Sequence, residues 1–264
     1  MKLYDRSVMH YKPNEREKGM KVSIVIAILN SHEIVRRQLL YFTKMPLPEG
    51  VEVVFVDDGS NPPLVDLPIV KEIPFVTMHR IDNPGKWTQP AARNYGAKQA
   101  KGEFCILTDI DHIIPLELIE IAMDPPADVV RFKREVAVLD ENGNFTQDWD
   151  TLREWKFDHN QLRIAPHGNS YLIRTGVYLG CGGVDERYVG TGRYPNREEI
   201  LLKRNLRALE AAGKITVLED HTKPMIYMFP NGHYCNNRDK DFNPFGFFHN
   251  TSRLSNKEKR RRNG

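Results

Sequence analysis

The feature that most constrains the fold is a regular alternation of apolar runs and helical segments in the first half of the chain. Four runs have the length and composition of strands, and the first of them is rich in valine and isoleucine, as buried strands are. They occupy residues 21–30, 51–60, 74–81 and 103–109. Ser31 is a favourable N-cap for a helix after the first run, and Gly102 ends an alanine-rich helical segment before the fourth. Strands that alternate with helices predict an α/β fold with a mostly parallel sheet and helices on both faces.

The second half of the chain is less regular and predicts a smaller region beside this sheet. Two strands are expected around the turn "ENGN" within 127–145, a short strand and a glycine-rich loop within 169–188, and a final strand at 224–234. The segment 197–214 is predicted to be an amphipathic helix that Gly213 ends.

Composition and charge exclude several classes of protein. The chain has 264 residues and a net charge of only +3, unlike a polycation that coats nucleic acid. Its three cysteines lie far apart, so neither a zinc ribbon nor a disulfide scaffold is expected. No apolar run reaches roughly 18 residues and no apolar leader is visible, so we expect a cytoplasmic protein without a transmembrane span, or one peripheral to a membrane. The basic tail "NKEKRRRNG" is either a solvated terminus or a contact with an anionic surface.

Pairs of carboxylates follow two of the apolar runs directly. Asp109 and Asp111 end the run in "CILTDIDHIIP", and Asp57 and Asp58 end the run in "VEVVFVDDGS". In extended backbone Asp109 and Asp111 face the same side, where their repulsion is relieved if Mg²⁺ or Mn²⁺ lies between them. His112 should point away from Asp111 if the strand continues.

Each acidic pair also has a simpler interpretation. Asp109 and Asp111 could be a solvated strand end, and "DDGS" is a good turn sequence in its own right. Ligands of α/β sheets, however, bind beyond the carboxyl ends of strands, which is where both pairs lie.

The order of these motifs resembles the nucleotide-binding half of family 2 glycosyltransferases with the GT-A fold. The matching stretches are a strand with "DDGS", then "NPGKWTQPAARNYGAKQAKGE", then a strand with "DID". The resemblance implies a Rossmann-like GT-A domain at 21–230, with a nucleotide-binding half at 21–115 and an acceptor half at 116–230. An N-terminal arm at 1–20 and a C-terminal extension at 231–264 would flank it.

The same resemblance implies which residues form the donor site. The residues expected to contact the donor nucleotide are Ala27, Asn30, Asp57, Asp58, Arg93 and Asp109. Asp109 and Asp111 are expected to hold a divalent cation, Mn²⁺ or Mg²⁺, on the donor diphosphate. A later histidine often completes the metal site in this family, and His221, His233 and His249 are the candidates, with His221 taken as the ligand.

The stretch "GNSYLIRTGVYLGCGGVDERYVGTG" resembles the acceptor side of the family, where an acidic pair opens a helix and supplies the catalytic base. Here the pair is Glu198 and Glu199, and Arg204 follows one residue earlier than usual. The match to the acidic pair of the family favours Glu199 as the base, whereas the spacing to Arg204 favours Glu198. We expect Glu198. The simpler alternative is that both carboxylates only complement the helix dipole.

The resemblance implies a metal-dependent, inverting transfer of a sugar from a nucleoside diphosphate, expected to be UDP, to an acceptor hydroxyl. The acceptor could be a glycan, a lipid-linked saccharide, a protein or a modified nucleic acid. One rival function is nucleotidyl transfer, but "AILNSHEIVRR" lacks the glycine-rich, lysine-containing loop expected after the first strand. The other rival is a non-catalytic relative that binds nucleotides or nucleic acid.

Overall fold

The computed structural model of the protein describes residues 19–81, 89–148, 150–151, 163–164, 170–188 and 198–228. Its strands are β1 Val22–Ile28, β2 Val51–Asp57, β3 Val76–Arg80, β4 Phe104–Asp109, β5 His112–Ile113, β6 Val129–Val136, β7 Val138–Leu139, β8 Phe145–Thr146, β9 Arg163–Ile164, β10 Tyr171–Arg174 and β11 Val217–Met228. Its α-helices are α1 His32–Lys44, α2 Gln89–Gln99, α3 Leu116–Met123, α4 Thr175–Gly180 and α5 Glu199–Ala211, with short 3₁₀ turns at Leu64–Asp66, Pro68–Glu72 and Glu186–Tyr188.

The central sheet has nine strands in the order β3-β2-β1-β4-β10-β6-β11-β5, with β9 beside β6. Strands β3, β2, β1 and β4 are parallel neighbours. Strand β10 runs antiparallel between β4 and β6, so β6 and its parallel neighbour β11 point the same way as β4. Among the described strands of this sheet, only β5, β9 and β10 run in the opposite direction, and β7 and β8 form a separate antiparallel pair. The prediction of a mostly parallel α/β sheet is therefore confirmed.

Helices cover both faces of this sheet, as predicted, because the side chains of its strands alternate between two apolar cores. On β1, the residues facing one core are Val22, Ile24, Ile26 and Ile28, and the residues facing the other are Val25 and Ala27. Helices α1 and α3 pack on the first core, and α2, α4 and α5 pack on the second. None of the described helices is long and apolar enough to cross a membrane.

Gly96 lets α2 approach the sheet more closely than any other residue would allow. A Cβ at this position would lie 2.5 Å from Val25 Cγ1 and 2.9 Å from Val56 Cγ2, well inside van der Waals contact. The polar side chains of Arg93 and Asn94, three and two residues earlier on α2, are almost fully buried. Helix α2 is therefore a structural support that places polar groups beneath the edge of the sheet.

Most elements of the first half lie where the sequence predicts them, whereas α3, α4, β9 and β11 of the second half do not. Helix α3 begins directly after Pro115, and α4 follows β10 without a loop. Both are short, and a short apolar segment shows too few turns for its helical period to be recognised. Strand β11 begins at Val217 rather than at 224, because its pairing with β6 extends through a charged segment. The domain limits at 20, 115 and 230 stay predictions.

The helix predicted at 197–214 is present as α5. Gly213 has a φ of +65° directly after its C-cap. The Lys214 amide donates to the Leu209 carbonyl at 2.9 Å, and the Gly213 amide donates to the Glu210 carbonyl at 2.9 Å. A left-handed glycine with these two bonds closes the helix in the way the sequence predicts.

Candidate donor and metal site

The carboxyl ends of β1, β2 and β4 meet at one edge of the sheet. Ala27 of β1 lies between Val56 of β2 and Asp109 of β4 in the strand register. The two acidic pairs, which are about fifty residues apart in the sequence, therefore reach the same edge on either side of β1. This edge is the position at which α/β sheets bind their ligands.

Three potential metal ligands meet at the end of β4. The ligand atoms of Asp109, Asp111 and His112 all lie within 4.8 Å of one another. The expectation that His112 points away from Asp111 was wrong, because β4 ends at Asp109 and the chain turns before β5 begins at His112. The Nδ1 atom of His112 lies 2.6 Å from Ser170 Oγ, a contact that helps to set the ring orientation.

The side chains of the other candidate histidines, His221, His233 and His249, lie outside the part of the chain that the structure describes. The backbone of His221 pairs with that of Phe132 between β11 and β6. His233 and His249 lie outside the described residues altogether.

Two side chains of helix α1 donate hydrogen bonds to the backbone around Asp111. Gln38 is fully buried, and its Nε2 atom donates to the carbonyl oxygens of Ile110 at 3.2 Å and His112 at 2.8 Å. Tyr41 donates its hydroxyl to the carbonyl of Ile114 at 3.1 Å. Neither residue was among the predicted site residues, although a glutamine on the apolar face of a helix is a signal that points to Gln38.

Asp57 and Asp58 differ in their surroundings. Asp57 is fully buried, and its carboxylate accepts hydrogen bonds from the Ser60 amide at 2.7 Å, the Leu64 amide at 3.0 Å and Arg80 Nη1 at 2.8 Å. These bonds are the turn interactions that "DDGS" suggests by itself. The backbone amide of Asp58 donates to the Ile28 carbonyl at 2.8 Å, which ties the loop after β2 to the end of β1.

Asn30 joins the loops that follow β1 and β2. It has a positive φ of 50°, a conformation that asparagine tolerates better than most residues. Its side-chain oxygen accepts from the Asn61 amide at 2.9 Å, and its own amide donates to Ser60 Oγ at 2.8 Å. The two loops therefore form one connected rim at the sheet edge.

Asp109 is held by two donors from successive turns of α2. Arg93 Nη2 lies 2.5 Å from Asp109 Oδ1, and Gln89 Nε2 lies 2.6 Å from the same oxygen. Burial alone lowers the pKa of Arg93, but the charge of Asp109 and its other neighbours raise it above its ordinary value. The guanidinium therefore stays charged and partly offsets the negative charge of the carboxylate group.

Glu198 and Glu199 lie at the start of α5 and are both almost fully buried. Glu199 forms an ion pair with Lys203 one turn later. Burial raises the pKa of the Glu199 carboxyl, while Lys203 and Arg93 act in the opposite direction. The Oε2 atom of Glu198 is buried and has no hydrogen-bond partner among the described residues. Arg93 thus contacts Asp109 directly and acts electrostatically on Glu199, which connects the two predicted sites.

The nine-stranded sheet and the acidic edge define a GT-A-type α/β fold of the kind found in glycosyltransferases. The family model for glycosyl transferase family 2 matches residues 23–180, and the chain belongs to this family. Membership favours glycosyl transfer over the rival nucleotidyl transfer. No curated protein matches the chain by sequence.

Solved structures of TarS from S. aureus resemble the protein in fold. TarS 1–349 matches with a TM-score of 0.53 and 19% identity, over 80% of this chain and 61% of that chain. Its complex with UDP matches with a TM-score of 0.52 and 20% identity, over 81% and 62%. Its complex with UDP-GlcNAc matches with a TM-score of 0.51 and 19% identity, over 79% and 58%. The chain thus spans about three-fifths of these TarS structures.

Proposed function

We propose that the protein is a metal-dependent, inverting glycosyltransferase that moves a hexose-type sugar from a UDP-sugar to an acceptor hydroxyl. The observation that carries the proposal is the joint arrangement of Asp109, Asp111 and His112 at the sheet edge, with Arg93 bound to Asp109 and acting electrostatically on the buried Glu199 of α5. A donor site and a carboxylate base on neighbouring elements are the two parts that such a transfer needs.

The donor nucleotide is proposed to lie across the ends of β1, β2 and β4. Ala27, Asn30 and Asp58 border this edge and would contact the nucleoside, while Asp57 would hold the loop through its bonds to Ser60, Leu64 and Arg80. The TarS structures that share the fold contain UDP or UDP-GlcNAc, which supports UDP as the nucleotide here.

The group of two carboxylates and one imidazole suits a divalent cation such as Mn²⁺ or Mg²⁺. Its ligand atoms lie within 4.8 Å of one another, a spacing that one ion can bridge. When bound there by Asp109, Asp111 and His112, the cation would stabilise the negative charge that develops on the departing diphosphate.

Transfer also requires a base that removes the proton of the acceptor hydroxyl. The acceptor oxygen attacks the anomeric carbon, the bond to the diphosphate oxygen breaks, and the proton passes to a carboxylate. A single base opposite the leaving group gives inversion at the anomeric carbon without a covalent enzyme intermediate.

Two observations support Glu199 rather than Glu198 as this base, in contrast to the sequence-based expectation. Burial raises the pKa of Glu199, which makes its carboxylate a better proton acceptor, and its charge is coupled to that of Arg93, the partner of Asp109. The ion pair with Lys203 would keep Glu199 ionised and oriented before the reaction. Glu198 remains the alternative because its Oε2 atom is buried without a described partner.

The proposal is tested by incubating the purified protein with a panel of UDP-sugars and other nucleotide sugars in the presence of Mn²⁺. We expect release of UDP from one of the UDP-sugars, abolished by EDTA and restored by added Mn²⁺ or Mg²⁺. A chain that binds UDP but releases no diphosphate from any donor, with or without candidate acceptors, would instead be the non-catalytic relative. Release of pyrophosphate from a nucleoside triphosphate would indicate nucleotidyl transfer.

A further inference from the structure

Asn94 uses both polar atoms of its side chain to bind a turn that is about ninety residues away in the sequence. Its Oδ1 atom accepts from the Tyr178 hydroxyl at 2.5 Å and the Val184 amide at 3.0 Å. Its Nδ2 atom donates to the Val184 carbonyl at 2.9 Å and to Glu186 Oε1 at 2.8 Å. The side chain is almost fully buried, so these bonds are made out of contact with bulk water.

The turn is shaped to accept this side chain. Gly183 has a φ of +68°, and a Cβ at this position would lie 2.2 Å from Asn94 Oδ1. A side chain at 183 would therefore displace Asn94 as well as strain the backbone. The glycine and the asparagine form one matched contact between α2 and the turn.

The same turn holds the start of α5. The Asp185 amide donates to the Glu198 carbonyl at 2.8 Å, and Asn205 Nδ2 donates to the Cys181 carbonyl at 3.1 Å. The Asp185 carboxylate is itself bound by Arg187. These bonds tie the turn to α5 at the backbone of Glu198 and at Asn205.

Asn94 directly follows Arg93, which binds Asp109. Neighbouring helical residues point about 100° apart, so one turn of α2 can bind the donor edge with one side chain and the 183–186 turn with the next. We propose that Asn94 is a positioning residue, which fixes the base-bearing start of α5 relative to Asp109. The inference rests on the proposed function, because it assigns Asn94 a role in the geometry of that reaction.

The proposal predicts a selective loss of kcat in N94D. This substitution keeps the size of the side chain and its Oδ1 acceptor, but it places an oxygen against the Val184 carbonyl and the Glu186 carboxylate. Because a displacement of about 1 Å can cost about 100-fold in rate, we expect kcat to fall by ~10- to 100-fold. The donor KM and the Kd for UDP with Mn²⁺ should stay within about twofold of the wild-type values, since Arg93 and the sheet edge are untouched.

Two further variants make the test independent of folding defects. N142D makes the same chemical change on an exposed turn and should leave all three constants unchanged. Y178F removes the hydroxyl that donates to Asn94 and accepts from the Val184 amide of the same turn at 3.3 Å, and it should lower kcat by about threefold or more, again without an effect on nucleotide binding. If N94D proves too unstable to assay, Y178F decides the question.

The outcomes separate this inference from the proposed function. If the wild-type chain is active and N94D keeps the wild-type kcat, the positioning role alone is overturned. If N94D is too unstable to assay, an unchanged kcat in Y178F has the same meaning. A parallel loss of kcat and nucleotide affinity also overturns it, because a general structural defect explains that pattern. A wild-type chain that turns over no nucleotide sugar overturns the proposed function and this inference with it.

Discussion

Arg93 binds Asp109 across the boundary between α2 and β4, with 2.5 Å between Nη2 and Oδ1. The arginine is almost fully buried, so this bond fixes the carboxylate and balances part of its charge in a region that water does not screen well. Asp111 lies two residues further on, and the repulsion between the two carboxylates is smaller when one of them already has a cationic partner. The donor edge is therefore organised before any ligand binds.

Asp111→Ala should abolish turnover and weaken UDP binding while the fold remains intact. Without a cation, the negative charges of Asp109 and Asp111 would repel the diphosphate, so we expect tight nucleotide binding only when a divalent cation is held at this edge. Calorimetric titration of UDP into the wild-type protein, with Mn²⁺ and with EDTA, measures this dependence. Equal affinity under the two conditions would show that the cation has no part in donor binding.

Asp57→Asn and Asp58→Asn should have different consequences. Asp57 accepts three hydrogen bonds from its own chain, including one from Arg80, so its replacement should lower the free energy of unfolding by about 2–3 kcal/mol. Asp58→Asn should raise the donor KM by about tenfold, or ~1.4 kcal/mol, with little change in stability. Denaturant unfolding and steady-state kinetics on both variants provide the comparison. A stable Asp57→Asn protein with a raised KM would reverse the two assignments.

Glu199→Gln should lower kcat by ~10²–10⁴-fold, the usual contribution of a general base, because glutamine keeps the shape of the side chain but cannot accept the proton. Donor affinity should stay nearly unchanged. Glu198→Gln is the matched control and should retain most of the activity. The opposite pattern would identify Glu198 as the base, and near-normal kcat in both variants would place the base elsewhere.

The acid limb of the pH dependence of kcat should follow the pKa of the Glu199 carboxyl. The base acts only when it is ionised, and burial raises its pKa above the ordinary value of 4.5, so kcat should fall on the acid side at a pH above 4.5. Lys203 lowers this pKa, and Lys203→Met should therefore shift the acid limb to higher pH. Arg207→Met, on an exposed position of the same helix, should leave the profile unchanged. An unshifted limb in Lys203→Met would argue against Glu199.

Gln38→Met should weaken Mn²⁺ binding without unfolding the protein. The amide donates to the backbone carbonyls on both sides of Asp111, and loss of such support typically costs about 10- to 100-fold in metal affinity. Methionine has a similar length and suits the apolar core around this side chain. Calorimetric titration of Mn²⁺ gives the affinity, with Gln99→Met on the exposed end of α2 as the control. Unchanged affinity in Gln38→Met would mean that the turn keeps its shape without the amide.

The sequence by itself determined the parallel strands of the first half and the acids at their ends. A continuous apolar run such as 53–56 is stable in a strand that is buried on both faces, and the aspartates that follow it then lie at the edge of the sheet. Helix α5 was likewise predictable, since its leucine spacing and Gly213 are local signals.

Only the tertiary structure decided how these acids are used. The direction of His112 depends on a turn held by Gln38, and the bonds of Asp57 depend on Arg80 of the next strand. The link from Asn94 to the 183–186 turn joins segments about ninety residues apart. Periodicity reports the face on which a residue lies but not the distant side chain that it meets there, so these contacts had to be found in the folded chain.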